Sequence, residues 1–251
     1  MPLPGRTLLR GMIVADFTPP KRPSRRGIIL LGGAPALPGK ARVAAFLARK
    51  GFWVFEIRFR GTWESKGSFL ARSPEEDVRL AIRAIEAGFS DVATRTRYHL
   101  DIDDWTVIGV SFGGAAAVLA ARFPEVARSV ALAPVIDWRA RSIDEPFPEF
   151  VRMLEEGFPG AYRAARGAFA KLARGTFYSP IHEAGRIDPA KLLILHRADD
   201  RVVPVAPLRK FARLSGVKPV ITRTGGHFST RDLLSREVFA PMGRFLKMSQ
   251  R

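Results

Sequence analysis

Ser111 is the residue of this chain best placed to act as a nucleophile. It stands in Gly109-Val110-Ser111-Phe112-Gly113-Gly114, where a strand-like run over 105–110 passes directly into a helix-like run over 112–122. A serine on so sharp a strand-to-helix turn has its hydroxyl pushed out above the sheet, and glycines at 109 and 113 let the backbone pass closely beneath it. The hydroxyl is a poor nucleophile at neutral pH, so it needs a base to take its proton and an acid to orient that base. His227 is the base candidate, because it lies in Thr224-Gly225-Gly226-His227-Phe228, a glycine-flanked loop after a strand-like run over 217–223. Of the other histidines, His99 falls in a polar connection, His182 in a segment rich in charge and proline, and His196 at the end of a strand over 191–196.

The acid belongs on a loop leaving the carboxyl end of a strand, between the serine and the histidine in sequence. The run from Leu192 through His196-Arg197-Ala198-Asp199-Asp200-Arg201-Val202-Val203-Pro204 supplies two adjacent aspartates. Asp200 is preferred because it opens an Asp-x-x-Val-Pro run in which valine and proline fix the loop, leaving Asp199 to cap a turn. Asp137, just after a strand over 129–133, is a third candidate.

These loops need a rigid support. Strand patterns over 12–16, 27–31 and 52–57 alternate with a helix over 40–50, which carries Val43, Phe46 and Leu47 on one face. Ser73-Pro74-Glu75-Glu76 predicts a capping box opening the next helix, with Val78, Ala81, Ile82 and Ile85 as its buried stripe. A last helix is expected over 231–248, kinked or broken at Pro241. The alternation predicts an α/β fold with a mostly parallel central sheet and helices on both faces. It is interrupted over 135–187 by short aromatic-rich helical pieces.

The order Ser, Asp, His on this pattern resembles the α/β-hydrolase superfamily along most of the chain. Within it the sequence is most similar to the catalytic domain of the prolyl oligopeptidase family, including acylaminoacyl peptidases and free-standing esterase relatives. Arg60-Gly61-Thr62-Trp63-Glu64-Ser65-Lys66-Gly67 resembles the family's R-G-x-x-x-S-x-G turn, Tyr178-Ser179-Pro180-Ile181 its S-P-I block, and 196–204 its H-G-x-x-D-x-x-V-P block. The resemblance implies a single domain over 1–251 with a helical cap at about 135–187, and it supports Asp200 as the acid. Two departures stand out. Leu31 precedes Gly32-Gly33-Ala34-Pro35 where the family carries His or Tyr, so the oxyanion donors fall to the backbone amides of Phe112 and of Gly33 or Ala34. Arg197 replaces the glycine that follows the family's histidine.

A length of 251 residues, 47% of them hydrophobic, suits one α/β domain with a well-buried core and leaves no room for the peptidases' propeller. The absence of cysteine excludes disulfides and thiolate metal sites. Residues 1–17 lack an apolar run long enough for a secretory signal, and no run is long enough to span a membrane, so a soluble cytoplasmic protein without a membrane partner is expected. The net charge of +17 comes from 41 basic against 24 acidic residues. The basic residues are scattered and carry no aromatic interleaving, which argues against specific nucleic-acid binding. The reading is a serine hydrolase acting on small-molecule carboxylic esters with an apolar part, through an acyl-enzyme and without metal or organic cofactor. Trp138 and Phe228 are candidate pocket residues. Homo-oligomers are compatible with the sequence, and the alternatives are a peptidase without its propeller and a non-catalytic binding protein on the same fold.

Overall fold

A computed structural model describes residues 3–248. The elements run β1 Gly5–Leu9, β2 Ile13–Thr18, β3 Arg26–Leu31, α1 Ala41–Arg49, β4 Trp53–Ile57, α2 Glu75–Glu86, β5 Phe89–Ser90 and β6 Arg97–Tyr98. There follow β7 Asp104–Val110, α3 Phe112–Ala120, β8 Val126–Leu132, α4 Phe147–Arg152, α5 Ala168–Ala173, β9 Leu192–Arg197, α6 Val205–Ser215, β10 Val220–Thr222 and α7 Arg236–Phe245. An eight-stranded sheet has the order β1-β2-β4-β3-β7-β8-β9-β10. Only its β1–β2 and β2–β4 pairs are antiparallel. From β4 to β10 all neighbours are parallel.

The strands in the middle of the sheet are apolar on both sides because helices cover both faces. In β3, Ile29 and Leu31 join a core with α2, α3 and α6. Ile28 and Leu30 point the other way, into a core with α1 and α7. The α2 stripe Val78, Ala81, Ile82 and Ile85 is buried as its 3.6-residue spacing requires.

Three sequence expectations change. The capping box at Ser73 is not formed: Pro74 takes the cap position, and the Ser73 hydroxyl donates to the Glu75 carboxylate. The last helix begins at Arg236, after a separate 3₁₀ turn over Thr230–Leu234. Extended Ser235 divides the two, while Pro241 lies inside α7 and does not end it. The β5–β6 hairpin was not foreseen, since two-residue strands carry no period to read. Between β8 and β9 the chain forms α4, a π-helical turn over Met153–Gly157, α5 and a 3₁₀ helix over Pro180–Arg186. Bridges from Thr62 to Tyr162 and from Phe69 to Ala164 tie this segment to the turn after β4.

Candidate active site

β7 ends against α3 with one residue between them, and that residue is Ser111. Its backbone sits at φ 54°, ψ −116°, a left-handed conformation that costs an L-residue of order 1–3 kcal/mol and persists only where neighbours impose it. They do so on both sides. The Ser111 amide donates to Leu132 O (2.8 Å), and its carbonyl accepts from Ala115 (3.1 Å) and Val135 (3.3 Å). The glycines make the turn passable: a Cβ on Gly109 would lie 2.0 Å from Gly113 O, and one on Gly113 would lie 2.3 Å from Gly32 O.

The structure brings Asp200 and His227 together. Asp200 Oδ2 is 2.7 Å from His227 Nδ1, and Oδ1 accepts from the amides of Val202 (3.0 Å) and Val203 (2.9 Å). Burial works against this carboxylate, but the His227 hydrogen bond and charge and the Val203 amide outweigh it and hold its pKa below the usual value. Asp199 points elsewhere. It accepts from Gly225 (2.9 Å) and Gly226 (3.0 Å), whose φ angles of +129° and +66° suit glycine, and so it braces the loop that carries His227. Asp137 is ion-paired with Arg139 at 3.2 Å, and His227 takes its carboxylate partner from Asp200 instead.

Ser111 and His227 line one open cleft of about 1080 Å³. Their side chains are not hydrogen-bonded to each other, and the His227 ring bonds the Asp200 carboxylate. The Phe112 amide is the first of α3, where it has no intrahelical acceptor, and it lies at the positive end of the helix dipole directly after Ser111. Gly33 lies alongside: a Cβ there would be 3.5 Å from Ser111 Cβ. Leu31 is fully buried and contributes no polar group.

Several residues that hold this geometry escaped the sequence reading. Tyr162 Oη accepts from Ala36 N (2.9 Å), the Trp63 indole donates to Ala36 O (3.1 Å), and Glu56 accepts from the amides of Gly39 (2.9 Å) and Lys40 (2.6 Å). Together they fasten the loop after β3 that presents Gly33. A lone carboxylate inside the apolar strand 53–57 was the available signal for Glu56. Arg197 is a second brace. Its guanidinium donates to Gly225 O (2.9 Å) and to Glu237 Oε2 (2.8 Å) and stacks 3.8 Å above the Phe228 ring. Phe228 is therefore mainly a core residue, 2% exposed, with its edge on the cleft.

A smaller cavity of about 60 Å³ opens beside Ser111 and Phe112, walled by Trp138, Phe147, Phe150 and Val203. Trp138 is fixed in this wall by its indole bond to Tyr178 O (2.7 Å) and by the Phe112 and Phe150 rings at 5.9 and 5.7 Å. A cavity of this size accepts a group of a few heavy atoms.

The parallel sheet, the helices on both faces and the strand-to-helix elbow define an α/β hydrolase. Comparison with solved structures agrees. The Pyrococcus furiosus esterase Pf2001 superposes with a TM-score of 0.68 at 17% identity, over 97% of this chain and 91% of that one. The Pyrococcus horikoshii acylaminoacyl peptidase superposes with a TM-score of 0.65 at 15% identity, over 98% of this chain and 40% of that one. A puromycin-hydrolyzing peptidase of Mycobacterium tuberculosis gives a TM-score of 0.65 at 15% identity, over 96% and 38%. No curated protein sequence matches the chain. The family model of the prolyl oligopeptidase family matches residues 40–248, and the chain belongs to that family.

Proposed function

We propose that this protein is a serine esterase that hydrolyses carboxylic esters with a small acyl group and an apolar part, with residues 135–187 acting as a cap over the site. The observation that carries the reading is the Asp200–His227 pair at 2.7 Å on the same cleft as a strained, elbow-borne Ser111. Ser111 Oγ attacks the ester carbonyl as His227 Nε2 takes its proton, while Asp200 holds Nδ1 and stabilises the imidazolium. The oxyanion is received by the amides of Phe112 and Gly33. His227 returns the proton to the departing alkoxide, leaving an acyl group on Ser111 that water removes by the same steps in reverse order.

The small cavity beside Ser111 supports a short acyl group, and the buried Leu31 supports ester over amide. An amide needs its leaving nitrogen protonated and leans harder on the oxyanion donors, which are here two backbone amides. The test compares kcat/KM for p-nitrophenyl acetate and butyrate with that for an aminoacyl p-nitroanilide and an N-acetylated dipeptide. The esters are expected to lead by at least about a hundredfold, the worth of one oxyanion donor. Cleavage of either amide at ester-like efficiency would favour the second reading, a peptidase, to which the fold likeness to two peptidases gives weight.

A further inference from the structure

Three carboxylates line the two cavities that flank Ser111, and two of them are neutralised. Asp137 pairs with Arg139 at 3.2 Å and Asp144 with Arg201 at 2.9 Å. The third, Glu145, lines both cavities. Its backbone amide donates to Ser142 Oγ (2.9 Å), but its carboxylate has neither hydrogen bond nor ion pair among the described residues. It is half-buried: burial raises its pKa, and the nearby His227 draws it back down. In a chain with 41 basic and 24 acidic residues, arginine partners are abundant, yet this carboxylate beside the nucleophile has none. A partly desolvated carboxylate with neither hydrogen bond nor ion pair is unfavourable, and a cation arriving with the substrate would relieve it.

We infer that Glu145 is a specificity-determining residue that receives an ammonium group on the acyl part of the substrate, so that the preferred substrates are aminoacyl esters. The inference rests on the hydrolase reading above. The charges around Ser111 assign the cation to the acyl side. The open cleft is lined by Lys40, Arg42 and Arg231, which oppose a cationic leaving group. The small cavity has no lysine or arginine in its wall, and its aromatic rings give a low-dielectric surround in which the Glu145 charge acts strongly. A volume of about 60 Å³ suits a small aminoacyl group.

The test uses the methyl esters of L-alanine and of isobutyric acid, which have the same shape except that a methyl replaces the ammonium. Methanol release gives kcat/KM for each ester at pH 6.5, where the amine is charged. In Glu145→Gln the alanine-to-isobutyrate ratio is expected to fall about tenfold relative to wild type, the usual worth of a charge-assisted hydrogen bond. Glu145→Asp, which keeps the charge, is expected to retain more of the ratio than Gln does. An unchanged ratio in the Gln variant, including one in which both rates fall together, overturns the inference and leaves Glu145 a structural role. Failure of wild type to hydrolyse either methyl ester while it cleaves p-nitrophenyl acetate overturns the inference alone, and failure on all three overturns the esterase reading and the inference with it.

Discussion

Asp199 and Asp200 are adjacent and chemically identical, and the fold gives them different work. Asp200 is buried and binds the imidazole; Asp199 is exposed and binds two glycine amides of the loop that carries it. Asp200→Asn is therefore expected to lower kcat by roughly 10³ to 10⁴ through the wrong histidine tautomer, measured on a p-nitrophenyl ester. Asp199→Asn acts only by loosening the loop, with an expected loss of about tenfold, and Asp137→Asn should cost less still. A larger loss at Asp137 than at Asp200 would move the acid. The preference for Asp200 over Asp199 as the partner of His227 came from the Asp-x-x-Val-Pro run that it opens, and the hydrogen bond at 2.7 Å agrees with it. The role of Asp199 was not legible, since its partners lie 26 and 27 residues further along the chain and only the fold brings them near.

At the scale of elements, the β7–Ser111–α3 elbow was readable because its causes are local: an apolar run, glycines where backbones touch, and a helix that is buried all round. The loops after β3 and β10 were not, because what positions them comes from other elements. Arg197, at the end of β9, joins the His227 loop to α7 by bonding Gly225 O and Glu237 and by covering Phe228. An arginine stands where the resembling family has glycine, and its place in the fold makes it a brace for the loop that carries His227. Arg197→Gly is accordingly expected to lower kcat about tenfold with little change in KM, and to speed amide exchange at 225–228 in hydrogen-exchange measurements. Unchanged exchange there would show that the loop holds its shape without the guanidinium.

At the scale of the whole molecule, the +17 charge is partly organised inward. Arg122 bonds Glu75 of α2 and Glu183 of the segment before β9 at 3.0 and 2.7 Å, linking the end of α3 to both. Asp77, under the turn after β4, accepts from the Arg60 amide at 2.8 Å. Burial raises its pKa to about 6 against the opposing Arg60 bond and charge. A carboxyl raised in the fold adds stability that is complete below its unfolded pKa and is lost as pH rises through the folded value. Lowering the pH from 8 to 5 should therefore stabilise wild type relative to Asp77→Asn, which keeps the acceptor but cannot titrate, by about 1 to 2 kcal/mol in urea unfolding. A constant difference across that range would contradict a raised Asp77. The doubly covered sheet was legible from alternating patterns, whereas this pH dependence follows from burial that no pattern in the sequence displays.

The proposed mechanism requires that Ser111 Oγ be acylated. Treatment with a fluorophosphonate, followed by peptide mapping by mass spectrometry, tests that directly. One phosphonyl group per chain on the peptide containing Ser111, accumulating in step with the loss of ester hydrolysis, is the predicted result. Complete loss of hydrolysis with the group on another residue, or undiminished hydrolysis by protein fully labelled at Ser111, would contradict it.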